Sequence, residues 1–218
     1  MVIYLIGSTT PFPTTIANYL ETAGHEVIKL GRDTLDYYSP AQMETAFKEY
    51  PAPDIVVFNQ RVAGARYPTD VSPMDPDYLD SIEQFARINN NSLHGSVWSK
   101  VVIHQILNKC KQFVFITSSI TLNNTDIDMG FSRLSYRYLR ASEQQLMKCI
   151  SIEPNKTAYG LCPGGMDLDP ELWAEGTAKI INGELSDDQY ADMNGEVTLV
   201  SHLLKDIFYQ AMRRTILQ

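Results

Sequence analysis

The chain has 218 residues, 44% of them hydrophobic, and a formal net charge of -8 at neutral pH, with an isoelectric point near 5.0. That length can bury a substantial core, and no Pro/Gly/Ser-rich stretch, internal repeat or low-complexity tract divides it, so one domain over 1–218 is expected. The acidic balance disfavours a nucleic-acid or anionic-membrane surface, which needs concentrated Lys and Arg, and no basic run exceeds Arg213-Arg214.

Met1 to Ile6 is apolar but lacks a preceding basic region, so it reads as a first strand and not as a signal peptide. A helix is expected from about Thr14 to Ala23, stopped at Gly24, and a second strand over Glu26 to Leu30, completing a β-α-β unit. Pro40 to Tyr50 carries Met43, Ala46, Phe47 and Tyr50 on one helical face, and Asp54 to Phe58 is a third strand. Helix is expected from about Asp75 to Asn108, in two pieces because Asn89-Asn90-Asn91 are poor helix formers.

Phe113 to Thr117 reads as a strand, Arg133 to Ile150 as a helix, and Thr157 to Cys162 as a strand stopped by Pro163-Gly164. A helix over Glu171 to Asn182 follows, then a short strand at Glu196 to Val200 and a helix from Leu203 to Ile216, although Val197 to Phe208 fits a single helix equally. Alternation of short apolar runs with helix-period segments predicts a Rossmann-like, doubly wound α/β domain whose parallel sheet has six or seven strands.

No apolar run approaches the roughly 18 to 20 residues that a membrane crossing needs. Cys110, Cys149 and Cys162 are odd in number and widely spaced, which indicates neither a disulfide framework nor a zinc site; they read as small buried groups in a reducing cytoplasm. The histidines His25, His94, His104 and His202 have no metal-ligand spacing, so no metal is expected.

Chemistry concentrates at strand ends. Gly7-Ser8-Thr9-Thr10-Pro11-Phe12-Pro13-Thr14 joins the first strand to the first helix, where a dinucleotide fold brings backbone N–H groups against a pyrophosphate. Against Gly-x-x-x-Gly-x-Gly only Gly7 matches, since Pro11 and Pro13 replace the other two glycines and neither can donate. Thr9, Thr10 and Phe12 retain donors there. Arg32 ends the second strand, where an arginine pairs with the 2'-phosphate of NADP(H) in preference to NAD(H), unless it is a solvated surface cation. Asn59 and Gln60 end the third strand and are candidates for the adenosine side of a cofactor or for turn formation.

Tyr136 and Arg140, four positions apart, share one helical face, so the cation can hold the phenol near its reactive form. Ser118 and Ser119 end the strand before that helix and supply a hydroxyl, with Ser119 preferred.

The order Ser-Ser strand end, tyrosine helix, then a strand closed by Pro163-Gly164 resembles the short-chain dehydrogenases/reductases, with Arg140 standing where that family has lysine. Gly31-Arg32 followed by Leu35-Asp36 is similar to compact reductases in which the second strand passes almost directly into the next helix. The resemblance implies Tyr136 as the acid, Ser119 as the carbonyl-orienting hydroxyl, Arg140 as the cation that tunes the phenol and holds ribose, and Asn91, with Asn90 close behind, as support for a proton relay. It further implies cofactor contacts from Gly7, Asp36 near the adenine, Asn59, Pro163 and Gly164, and a homodimer or homotetramer. The implied activity is NADP(H)-dependent reduction of a small-molecule carbonyl, or oxidation of an alcohol. Pro11, Pro13 and Arg140 motivate the rival, a nucleotide-binding or interaction protein of the same fold without turnover.

Overall fold

The computed structural model describes residues 1–8, 11–60, 74, 76, 78–116, 134–161, 178–179 and 181–182, with backbone alone for 11–12, 78, 134–137, 159 and 161. Five strands lie among them: β1 (Val2–Ile6), β2 (Glu26–Leu30), β3 (Ile55–Phe58), β4 (Gln112–Ile116) and β5 (Thr157–Leu161). All pair in parallel, in the order β2-β1-β3-β4-β5. The helices are α1 (Pro11–Thr22), α2 (Pro40–Phe47), α3 (Tyr78–Leu93), α4 (Ser99–Ile106) and α5 (Leu134–Ser151), with a π-helical turn over His94–Trp98 joining α3 to α4.

The strands are apolar on both faces because helices cover both. Side chains alternate across a strand, so Ile3, Leu5, Ile55, Val57 and Val114 face α1, where Ile16, Ala17 and Leu20 meet them. Tyr4, Ile6, Val56, Phe58, Phe113 and Phe115 face the other way, onto Met43 and Phe47 of α2, Ile103 of α4, and Met147 and Ile150 of α5. The expected two-sided α/β sheet is therefore present. Ala178 and Ile181, the described part of the expected Glu171–Asn182 helix, pack on the α1 side. The last expected strand and helix lie outside the described residues.

Two expectations shift. The first helix begins at Pro11, not near Thr14; proline is tolerated in a first helical turn because its missing N–H would have no intrahelical partner there. The long helix does not break at Asn89-Asn90-Asn91, which stay within α3. There the Asn89 amide donates to the Phe85 carbonyl one turn back (2.8 Å). The irregularity comes at the π turn instead, where Gly95, Ser96 and Val97 are buried. A π turn adds a residue to the helical repeat and so rotates the face that α4 presents.

Candidate functional site at the carboxyl edge of the sheet

In an open parallel sheet, ligands bind beyond the carboxyl ends of the strands where the strand order reverses. Here the reversal lies between β1 and β3. Gly7 follows β1 with φ +90, and its amide donates to Leu30 O of β2 at 2.7 Å. A Cβ on Gly7 would lie 2.4 Å from the Gln60 backbone nitrogen. Glycine is thus demanded by the approach of the chain beyond β3 as well as by the positive φ. The Asn59 amide donates to Gly7 O (2.9 Å), tying the two strand ends together.

α1 points its amino end toward this edge, and the first amides of a helix lack intrahelical partners. With Pro11 and Pro13 in its first turn, Phe12 keeps a backbone donor and the two prolines have none. Arg32 and Asp36 are both exposed, on the turn between β2 and α2. The Asp36 carboxylate accepts from Tyr38 N (2.9 Å) and borders an open cleft with Thr34, Gln42, Thr45 and Glu49.

Beside β3 and β4 lies a buried polar cluster. The Arg140 guanidinium donates to Glu143 Oε2 (2.6 Å) and to Ile116 O, the last carbonyl of β4 (3.3 Å). Glu143 Oε1 accepts from the Lys100 ammonium and from Ser96 Oγ (3.0 Å). The Lys100, Glu143 and Arg140 side chains are 2%, 2% and 7% exposed, so the ions are sealed from water. Lys100 Nζ also reaches Gln60 O at 3.5 Å, while Gln60 Nε2 donates to Ser99 Oγ (2.6 Å), which donates to Gly95 O (2.8 Å). Gln60 Oε1 is buried and finds no partner among the described residues. Ser96, Ser99 and Lys100 all face this cluster because the π turn sets the rotation of the helix around them.

Burial by itself raises the Glu143 carboxyl, but the charges of Lys100 and Arg140 and their hydrogen bonds outweigh it and hold the carboxyl below its ordinary range. Burial lowers Lys100; Glu143 opposes that and Arg140 reinforces it. The two shifts thus have different leading causes: burial for Lys100 and, for Glu143, the neighbouring cations acting against burial.

The fold brings Gly7, Asn59, Gln60 and Arg140 to one edge of the sheet. Tyr136 lies one turn before Arg140 on α5, with only its backbone described. Asn91 is exposed on α3, its carbonyl accepting from the Tyr38 phenol (3.3 Å). Thr9, Thr10, Ser119, Pro163 and Gly164 lie outside the described residues, as does the Phe12 side chain.

Sequence reasoning missed Lys100, Glu143, Ser96 and Ser99. Glu143 was visible as an acid three residues after Arg140, but that spacing is also the ordinary signature of a surface ion pair. The reading of the cysteines as buried needs correction: Cys110 is buried, whereas Cys149 is exposed on the outer face of α5. His104 is buried at the opposite edge of the sheet, within reach of Glu153 (3.2 Å) and Lys156 (3.0 Å). Among the described residues, no group of His, Cys, Asp or Glu side chains could hold a metal ion, and no helix is long and apolar enough to cross a membrane.

No protein-family model matches the chain, and no curated protein matches it in sequence. Solved structures do match. A small-chain dehydrogenase in complex with NADPH superposes with a TM-score of 0.60 at 16% identity, covering 75% of this chain and 70% of that one. An alcohol dehydrogenase from the archaeon Thermococcus sibiricus, complexed with 5-hydroxy-NADP, gives 0.63 at 13% identity, covering 83% and 90%. An oxidoreductase of the short chain dehydrogenase/reductase family from Brucella ovis, with a partially ordered NAD, gives 0.57 at 13% identity, covering 87% and 94%. The fold is that of the short-chain dehydrogenases. The expected fold class is thereby met, and at these identities the likeness is one of fold alone.

Proposed function

We propose that the protein is an NADP(H)-dependent oxidoreductase that reduces a carbonyl of a small molecule, or oxidises the corresponding alcohol. The observation that carries this reading is the position of Arg140: its guanidinium meets the last carbonyl of β4, one turn after Tyr136 on α5, in a fold whose solved neighbours include NADPH and NADP-analogue complexes. A dinucleotide fits the residues present. Gln60 Oε1 is a buried acceptor without a donor among the described residues, Phe12 keeps its backbone donor in the first turn of α1, and Arg32 is exposed for a 2'-phosphate. Gly7, Thr9, Thr10, Phe12, Asn59, Gln60, Pro163 and Gly164 would line its path, with Asp36 toward the adenine. When bound, the reduced nicotinamide supplies the hydride.

The protein's own part is to position and protonate. A phenol with an ordinary pKa of about 10 is protonated at neutral pH, so Tyr136 donates to an alkoxide as it forms. Ser119 would orient the carbonyl, Asn91 would support the proton relay, and Arg140 would hold ribose and favour the phenolate in the reverse direction. A guanidinium does not deprotonate in this pH range, so Arg140 cannot itself replace the proton that Tyr136 gives up on reduction or carry away the one it takes on oxidation.

A second reading, a nucleotide-binding or interaction protein of this fold without turnover, is favoured by one observation: Glu143 and Ile116 O already engage the Arg140 guanidinium. Titration with NADPH and NADH, followed by nicotinamide fluorescence and then by turnover of an aldehyde and ketone panel, separates the two. Binding with turnover supports the oxidoreductase; binding without turnover across the panel supports the second reading in its nucleotide-binding form; no binding removes both cofactor readings and leaves an interaction protein.

A further inference from the structure

Two turns border the carboxyl edge of the sheet, and a pair of stacked rings joins them. The turn between β2 and α2 carries Arg32 and Asp36. It is closed locally: the Leu35 amide donates to Gly31 O (2.8 Å), the Gly31 amide to Thr34 Oγ1 (2.9 Å) and the Tyr38 amide to the Asp36 carboxylate (2.9 Å). Leu35 and Tyr37 sink into the α2 side of the core. The Tyr37 hydroxyl is buried there without a partner among the described residues, which opposes the burial of its ring. Burial pushes that phenol up to about 12 and the Arg32 charge opposes the rise, so the guanidinium lies within electrostatic reach of Tyr37. Tyr38 reaches instead across to another helix. Its ring stacks on His94 at 4.9 Å between centroids and 6° between planes, and its hydroxyl donates to Asn91 O (3.3 Å). His94 opens the π turn, whose next residue, Gly95, gives its carbonyl to the Gln60 side-chain amide (3.4 Å). One parallel ring contact thus links the turn bearing Arg32 to the turn that holds the chain leaving β3. Tyr38 is 56% exposed, so it adds little to the core, and what it does is done through that contact.

We propose that Tyr38 is a positioning residue for cofactor preference: by stacking on His94 it holds the turn between β2 and α2 in the conformation that presents Arg32 to a 2'-phosphate. This rests on the NADP(H) reading under Proposed function. Arg32 is exposed, so its guanidinium is placed by the backbone that carries it. A cation on an exposed turn engages a ligand only after the turn is ordered, and only the fraction of molecules with the turn in place binds tightly. A parallel aromatic pair is strong enough to change that fraction about two- to tenfold. NADH has no 2'-phosphate, so its affinity does not depend on where Arg32 sits. Loss of the stack therefore weakens NADPH and spares NADH. Both rings are needed equally, because the contact is shared: His94 acts through Tyr38, and Tyr38 through Arg32. The Tyr38 hydroxyl contributes less, since its bond to Asn91 O is long at 3.3 Å and exposed to water.

The test is titration of the full chain with NADPH and with NADH, followed by nicotinamide fluorescence. Tyr38→Ala and His94→Ala should each weaken NADPH about two- to tenfold and leave NADH unchanged. The double variant should lose no more than either alone, and Tyr38→Phe, which keeps the ring, should retain the wild-type preference. In an Arg32→Ala background, Tyr38→Ala should have no further effect on NADPH, a result that general damage to the fold would not give. Circular dichroism establishes that each variant is folded, and if Tyr38→Ala is not, His94→Ala, which leaves the turn's own sequence intact, decides. Equal losses for the two cofactors, or a further loss of NADPH when Tyr38→Ala is added to Arg32→Ala, overturn the proposal. A wild type that prefers NADPH, with that preference unchanged in the alanine variants, overturns the proposal alone and leaves the proposed function standing. A wild type that binds neither cofactor, or both equally, removes the NADP(H) reading and the proposal with it.

Discussion

Replacing Glu143 by glutamine keeps the side-chain shape and removes the single negative charge between Lys100 and Arg140. The wild-type carboxylate accepts from Lys100, from Ser96 Oγ at 3.0 Å and from Arg140 at 2.6 Å, with its side chain 2% exposed. Breaking a buried pair by removing one partner costs about 3 to 5 kcal/mol, because the remaining charge stays buried without compensation. Here the Lys100 and Arg140 cations would remain beside a neutral amide. Against a total stability of about 5 to 15 kcal/mol for a folded domain, this is a large fraction, and it corresponds to a fall in Tm of roughly 6 to 20 °C for a chain of this size.

The assay is urea unfolding of Glu143→Gln and wild type followed by circular dichroism at neutral pH, repeated in acid. Glu143 has its carboxyl depressed in the folded state. Its contribution is therefore fully present above the unfolded-state value of about 4.3 and is lost as pH falls through the folded-state value. The stability difference between wild type and variant should shrink in the same direction. A neutral-pH loss below about 1 kcal/mol, the worth of an exposed ion pair, would refute the claim that these charges are sealed and interdependent.

Gly7→Ala should lose about 2 to 5 kcal/mol by the same unfolding assay, combining the left-handed backbone with steric overlap; its Cβ would lie 2.4 Å from the Gln60 backbone nitrogen. Arg32→Ala should weaken NADPH by about 1 to 3 kcal/mol and leave NADH nearly unchanged in fluorescence titrations, and equal losses would remove the 2'-phosphate argument. Tyr136→Phe should lower kcat for any carbonyl substrate found by about a hundredfold or more while NADPH binding persists. An unchanged kcat would show that Tyr136 is not the acid.

Much of the fold was legible because it follows from local rules. The buried strands are short apolar runs, and Glu26 to Leu30 appears as a strand with the bounds its pattern suggests. Side-chain alternation assigned each strand residue to one of two helical layers. The Tyr136–Arg140 spacing likewise placed a cation on the helix that meets the end of β4. Less legible was the junction of α3 and α4. Three asparagines suggested a break by propensity, yet Asn89 satisfies itself on the preceding turn, and the repeat changes only at the buried Gly95-Ser96-Val97. Propensity is a small energy per residue, and packing against the sheet overrides it.

The residues that surround Arg140 were the least visible. Lys100 and Glu143 are 43 positions apart in the chain, and each looks like an ordinary polar residue of an amphipathic helix. Periodicity identifies which face of a helix is apolar, but it carries no record of which polar side chain is drawn beneath a neighbouring helix. By itself the sequence determined the alternating elements, the two-faced sheet and the presence of a cation one turn after Tyr136. Only the tertiary structure decided that this cation shares a buried carboxylate with a lysine from another helix, because pairing charges away from water depends on distances between segments that no local pattern encodes.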